Sequence, residues 1–267
     1  GECRRQGSKI CTEDGLATIC GAVPGQPGEE RCGGKDNNCD GIIDLGAEPL
    51  DVEGCVEAGF CNYLFSDSGD LALDGSTPLS GTALTATGWL PNGGQGETIQ
   101  YSNAIVHDGS LSMMTSGNNG AGVHYGINPT RQNLDVSVWY RTEQSAADGL
   151  MLESADGLVY VQINTGNACG SSYPFEYGFR DMAGNNGSRL EISGAPSYDA
   201  NKWYHFQISI RGKSVTLSVD DNDKTGMACQ ELSEPVSWAR VRFGVSKCGG
   251  GDHTAYWDDL IVVEKEE

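Results

Sequence analysis

The sequence predicts a mainly-β protein, an antiparallel β-sandwich preceded by a small disulfide-rich module. Three observations predict it. Residues 62–267 contain repeated runs in which apolar and polar side chains alternate, and no run has a helical period. Clusters of Gly, Asn, Asp and Ser punctuate those runs, as turns between strands require. Seven of the ten cysteines fall within the first 61 residues, a density that reads as a disulfide framework in an oxidising compartment.

The N-terminal segment, residues 1–61, carries Cys3, Cys11, Cys20, Cys32, Cys39, Cys55 and Cys61. Zinc is the competing use of cysteine, but zinc sites usually show close C-x₂-C pairs and none occurs here. The remaining cysteines are Cys169, Cys229 and Cys248. Both groups are odd in number. Full pairing therefore needs a bridge between the regions, for which Cys55 and Cys61 lie nearest. Otherwise each region keeps a free thiol or pairs between molecules. Apolar residues are few in this segment, so bridges and metal must supply what a small core cannot. Turns and short hairpins are expected.

The densest motif is Cys32-Gly-Gly-Lys-Asp-Asn-Asn-Cys-Asp-Gly-Ile-Ile-Asp44. Oxygen-bearing side chains alternate around one glycine, as a hard cation requires. Counted from Asp36 as the first position of a calcium loop, Asp36, Asn38 and Asp40 take the first, third and fifth places. Gly41 takes the sharp turn, the Ile42 carbonyl follows, and Asp44 takes the ninth. The twelfth place, normally a bidentate Glu, is Ala47, with Glu48 one residue late. The expected ion is Ca²⁺, completed by Glu48, Glu29, Glu30 or water rather than as an EF-hand. The alternative is an Asx-turn cluster held by a Cys32–Cys39 bridge.

Strand signals then follow in order. In 134–141, Leu134, Val136, Val138 and Tyr140 point one way. Val159, Val161 and Ile163 share a face, as do Tyr204, Phe206, Ile208 and Ile210. Val215, Leu217 and Val219 come next, then Val241, Phe243 and Val245, and last the run 256–263. One face of most strands stays polar, which fits sheets packed together on one side only.

The formal net charge of −20 and pI near 4.4 exclude nucleic acid or an anionic membrane as the main partner. No apolar run approaches the ~18 residues of a spanning helix, so no membrane insertion is expected. No signal-peptide pattern is present, so an exported protein would already be trimmed.

Two resemblances rest on these residues. The N-terminal segment resembles the MopE-type metal-binding motif of secreted and surface bacterial proteins, whose core reads C-D-G-x-D-N-D-C-D-G-x-x-D-E. Cys32, Gly34, Asp36, Asn37, Cys39, Asp40, Gly41 and Asp44 match it, while Gly33, Asn38 and Leu45 depart. The resemblance implies export and a metal; that family's name points to copper, but the oxygen donors here favour calcium. The larger region resembles a concanavalin A-like jelly roll of the laminin-G-like kind. The Trp203-Tyr-His-Phe strand, the Val215-to-Asp220 strand and the closing Tyr256-Trp-Asp-Asp-Leu-Ile-Val run carry that resemblance. It implies a second, weaker calcium between an early strand and the last one, with Asp67 (or Ser68 or Asp70) facing Asp259 in preference to Asp258.

Catalytic patterns are absent. The glucanase pattern Glu-x-Asp-x-Glu does not occur, and Glu176 is followed at i+2 by Gly178. Arg141-Thr-Glu143 and Gln162-Ile-Asn164 are only fragments of an alginate-lyase-like set. Trp139, Tyr160, Gln162, Arg180, His205, Gln207 and Arg242 lie on non-core faces of the middle strands. An aromatic among planar polar groups suits a sugar; an ordinary solvated sheet face is the alternative. The sequence thus predicts a secreted or surface-displayed, lectin-like adhesion protein that binds a glycan or surface polysaccharide. The rivals are a structural subunit of an extracellular fibre or coat, which would bind copies of itself, and a polysaccharide-degrading domain.

Overall fold

The structure, a computed structural model, describes residues 9–11, 18–20, 63–67, 78–92, 95–118, 122–143, 148–166, 172–245 and 253–265. The chain divides into two compact units, Gly1–Tyr63 and Leu64–Glu267. In the first, β1 (Lys9–Cys11) and β2 (Thr18–Cys20) form an antiparallel ladder with Ile10 opposite Ile19. The loop from Asp36 to Asp44, Glu48, and Cys3, Cys32, Cys39, Cys55 and Cys61 lie outside the described residues.

The second unit is the expected antiparallel jelly-roll sandwich. Its first half comprises β3 (Tyr63–Asp67), β4 (Leu90–Pro91), β5 (Gln95–Ser102), β6 (Ser112–Asn118), β7 (Gly122–Arg131), β8 (Leu134–Thr142) and β9 (Asp148–Ser154). The second half comprises β10 (Tyr160–Thr165), β11 (Phe175–Arg180), β12 (Asn186–Glu191), β13 (Tyr204–Arg211), β14 (Ser214–Asp220), β15 (Thr225–Glu231), β16 (Trp238–Val245) and β17 (His253–Glu264). One sheet runs β12-β11-β10-β9-β16-β7-β4; the other runs β15-β14-β13-β8-β17-β6-β5, with β3 also paired to β17. The described residues contain no α-helix, only a 3-10 turn at Leu84–Thr87.

The alternation read from the sequence decides which side of each strand enters the core. Leu134, Val136, Val138 and Tyr140 are buried, as are Tyr204, Phe206, Ile208 and Ile210. Val159, Val161, Ile163, Val241 and Phe243 are buried from the opposite sheet. Aromatic rings lock the layers together. Phe243 on β16 lies 4.8 Å from Trp257 on β17, and Phe175 on β11 lies 4.8 Å from Tyr204 on β13. Each such side chain contributes about 1.5–3 kcal/mol by leaving water.

The last strand breaks the alternation. Asp258 stands opposite Trp139, but Ile261 stands opposite Ser137, so β17 holds one extra residue there. Asp259, at φ 50°, sits in that bulge.

Candidate functional site

The register of the seven-stranded sheet places its outward side chains in cross-strand rows. One row runs Asn186, Arg180, Tyr160, Glu153, Arg240, Gly126 across β12, β11, β10, β9, β16 and β7. The next runs Gly178, Gln162, Met151, Arg242, His124, Leu90. A third holds Glu191, Glu176, Asn164, Gly149, Gly244 and Gly122. Four of the residues picked out from sequence, Tyr160, Gln162, Arg180 and Arg242, therefore meet on one face.

Glycines shape its floor. A methyl group at Gly178 would stand 2.9 Å from Gln162 Nε2. One at Gly149 would overlap Asn164 Oδ1, and one at Gly122 would stand 2.9 Å from the Asn92 amide. Three planar amides thus lie across positions that carry no side chain. The result is a low, polar surface rich in donors and acceptors.

The charged groups are braced from beneath. Glu153, largely buried, receives Arg242 Nη1 at 3.3 Å and Arg240 Nη1 at 3.7 Å. Asn92 donates to His124 Nδ1 (3.0 Å) and accepts from Arg242 Nε (3.2 Å) and Val123 N (3.1 Å). Because Nδ1 accepts, the neutral ring carries its proton on Nε2. Burial, then the nearby Arg240 and Arg242 charges, lower the His124 pKa and keep the ring neutral. Tyr160, Gln162 and Arg180 make no side-chain hydrogen bond or ion pair among the described residues, so their polar tips stand ready for a ligand.

The other two residues picked out from sequence, Trp139 and His205, lie on the opposite sheet. They face outward on β8 and β13, where they are directly paired. The His205 ring stacks on Trp139 at 4.7 Å and 18°, and the His107 ring stacks on it at 4.0 Å and 17°. β13 and β17 flank β8 on its two sides, and His107 is tied to β17. The indole is therefore sandwiched between two imidazoles. With both faces covered, Trp139 offers no platform to a sugar ring, and the set read from sequence separates between two outer faces. Gln207, its neighbour on β13, bonds His205 Nδ1 at 3.2 Å and accepts from the Ser218 hydroxyl at 3.0 Å. Sequence reasoning gave no sign of His107, which reaches Trp139 from a loop, nor of Asn92, His124, Glu153 and Arg240. The i+2 spacing of Arg240 and Arg242 was the one available signal for the last.

The residues expected to hold a second cation have other partners. Asp67, fully buried, accepts from Trp89 Nε1 (2.8 Å) and the Tyr101 hydroxyl (2.7 Å) through one oxygen. Asp259 meets His107 Nδ1 at 3.1 Å. Asp258, also fully buried, accepts the amides of His107 (3.0 Å) and Asp259 (3.0 Å). No group of three or more His, Cys, Asp or Glu side chains arranged to hold a metal occurs among the described residues. Ser68 and Asp70, the other early-strand candidates, lie outside the described residues. Cys229 is an exposed free thiol on β15, while Cys169 and Cys248 lie outside the described residues.

No protein-family model matches this chain. No curated protein is similar to it in sequence. Among solved structures, it is similar to the cellulose-induced protein Cip1, with TM-score 0.47 and 14% identity over 67% of this chain and 92% of that one. It is similar to the endo-β-1,4-glucuronan lyase of the fungus Trichoderma reesei, with TM-score 0.48 and 12% identity over 76% and 96%. It is also similar to the carbohydrate-binding module CBM66 of Bacillus subtilis, with TM-score 0.45 and 10% identity over 70% and 99%.

Proposed function

We propose that this protein recognises a polysaccharide across the outer face of its seven-stranded sheet. One observation carries the reading. Tyr160, Gln162 and Arg180 stand side by side with unpaired polar tips, on a floor flattened by Gly178 and Gly149. A half-exposed phenol ring can cover the C–H face of a sugar, while amide and guanidinium groups bond its hydroxyls. A flat sheet face suits an extended chain of sugars rather than a single buried one.

The protein acts outside the cell in this reading. Support comes from the cysteine framework of residues 1–61 and the strong acidic charge. The Asp36, Asn38, Asp40, Ile42 and Asp44 loop binds calcium as a structural staple; the oxygen-only donor chemistry supports it.

Affinity electrophoresis through gels containing plant and microbial polysaccharides tests the reading. Retardation by at least one polymer, abolished by Tyr160→Ala with Gln162→Ala, is expected. Equal retardation of wild type and variant would remove this face from the function.

A further inference from the structure

The outer face of the seven-stranded sheet carries three arginines, Arg180, Arg240 and Arg242. On the other sheet Arg211 meets Asp135, which Lys265 also reaches at 3.4 Å; Arg131 meets Glu264. On the seven-stranded face Arg240 and Arg242 share the single carboxylate of Glu153. That group leaves one positive charge over. Arg180, exposed and two strands from Glu153, has no ion-pair partner among the described residues and adds a second. In a chain of net charge −20, a braced surplus of arginine is not a default surface.

Two acids of the face are kept apart. Glu176 and Glu191 lie in the third row, two register steps along the strands from the Arg180–Arg240 row. Asp156, beside Arg240, accepts the Ser154 hydroxyl and the Leu158 amide through one oxygen and stays charged, so the three arginines outnumber Glu153 and Asp156 by one. The face therefore has a cationic end and an anionic end. Three strand steps separate Arg180 from Arg240, roughly 14 Å at the usual strand spacing. A chain of sugars crossing the strands would meet one guanidinium early and another late.

Building on the polysaccharide reading above, we propose that the ligand is an acidic glycan whose repeated oxyanions, carboxylate or sulfate, sit over Arg180 and the Arg240–Arg242 pair. A guanidinium fork matches either oxyanion with two parallel hydrogen bonds. His124 stays neutral and donates from Nε2, so it adds hydrogen-bonding capacity without further charge. Tyr160, between Arg180 and Glu153 in the same row, holds the ring of the sugar that carries the anion.

The test is a matched set of polymers on the whole protein. Polygalacturonate, alginate and polyglucuronate are each compared with their carboxyl-reduced neutral forms, and a sulfated galactan is compared with its desulfated form. Binding is measured by affinity electrophoresis at low and high salt, for wild type and Arg180→Gln. Arg180 is exposed and unpaired, so this variant keeps the fold. We expect at least one anionic polymer to bind and its neutral form not to. Binding should weaken with salt and fall about tenfold or more in Arg180→Gln, the worth of one charge-assisted hydrogen bond. Whether the carboxylated or the sulfated polymer binds identifies the oxyanion. Equal binding of charged and neutral forms, insensitive to salt and to Arg180→Gln, overturns the acidic-ligand inference while leaving polysaccharide recognition standing. Binding of none of the polymers, charged or neutral, while other polysaccharides bind also overturns it. Binding of no polysaccharide at all overturns both.

Discussion

Tyr160 stands directly opposite Arg180 where β10 pairs with β11, on the outer face of the seven-stranded sheet. Neither side chain has a polar partner among the described residues. Paired aromatic and cationic side chains on a solvated sheet normally satisfy each other or a neighbour. Here they are left to meet something else.

Removing the ring should therefore cost binding and little else. Tyr160→Ala is expected to weaken polysaccharide binding about tenfold or more, with the thermal midpoint nearly unchanged. Calorimetric titration beside a melting curve checks both. Tyr160 is half-buried on an outer face, so its loss opens no core cavity.

Two glycine substitutions should behave differently, although both glycines lie under amides. At Gly178 the new methyl meets the mobile end of Gln162 at 2.9 Å and only then the Gly187 carbonyl at 3.3 Å. Gly178→Ala should displace Gln162, lower affinity and cost under about 1 kcal/mol of stability. At Gly149 the methyl meets the Ile163 carbonyl at 2.6 Å, which cannot rotate away. Gly149→Ala should destabilise the fold by about 1–3 kcal/mol. Urea denaturation of both variants checks the contrast.

On the other outer face, two groups give opposite pH dependence. Burial, helped by the Asp259 carboxylate, pushes the Asp258 pKa up to about 8 against the amides it accepts from His107, Asp108 and Asp259. The folded state then holds a proton that the unfolded state releases. Its stabilising contribution is full below the usual carboxylate range and is lost as pH rises toward 8. Burial pushes His205 down to about 4; Asp220 and Asp259 oppose this and His107 adds to it. That contribution is full above the ordinary histidine range and is lost as pH falls toward 4. The two cancel between about pH 4 and 6.5. Relative to wild type, Asp258→Asn should abolish the loss of stability between about pH 6.5 and 8, worth about 2 kcal/mol. His205→Gln should remove the loss on the acid side, so that its stability rises relative to wild type as pH falls from about 6.5 to 4. Urea midpoints measured across that range decide it, and parallel curves for all three proteins would contradict it.

Chelation bears on the loop that begins at Asp36. Excess chelator should lower the melting temperature of the intact chain, and added calcium should restore it, because a cation bound only to the folded form stabilises it by mass action. Asp40→Ala should melt low with or without calcium. An unchanged melting curve on chelation would remove calcium from the account.

Much of the sandwich was legible in the sequence because alternation reports which side of a strand enters the core. Tyr204, Phe206, Ile208 and Ile210 are buried for that reason. Alternation does not report which strands become neighbours. Trp139 and Tyr160 both read as outward aromatics, yet β8 and β10 belong to different sheets, so one proposed site became two faces. Parity also fails at a bulge. The preference for Asp259 over Asp258 assumed unbroken alternation; the extra residue of β17 falls at Asp259, while Asp258, opposite Trp139 on the outward side, is buried where the His107 and Asp108 amides meet it. Gly178 looked like a missing partner for Glu176. Its role, a bare position beneath Gln162, depends on a cross-strand register that only the folded sheet displays.

The most direct measurement maps the bound polysaccharide onto the protein by chemical-shift perturbation of isotope-labelled chain. An oligosaccharide cut from whichever polymer binds should be titrated in. The account predicts that the side-chain and backbone signals that shift are those of Tyr160, Gln162, Arg180, Arg242 and His124. Shifts confined to Trp139, His205 and the loop bearing His107 would place recognition on the other sheet and contradict it.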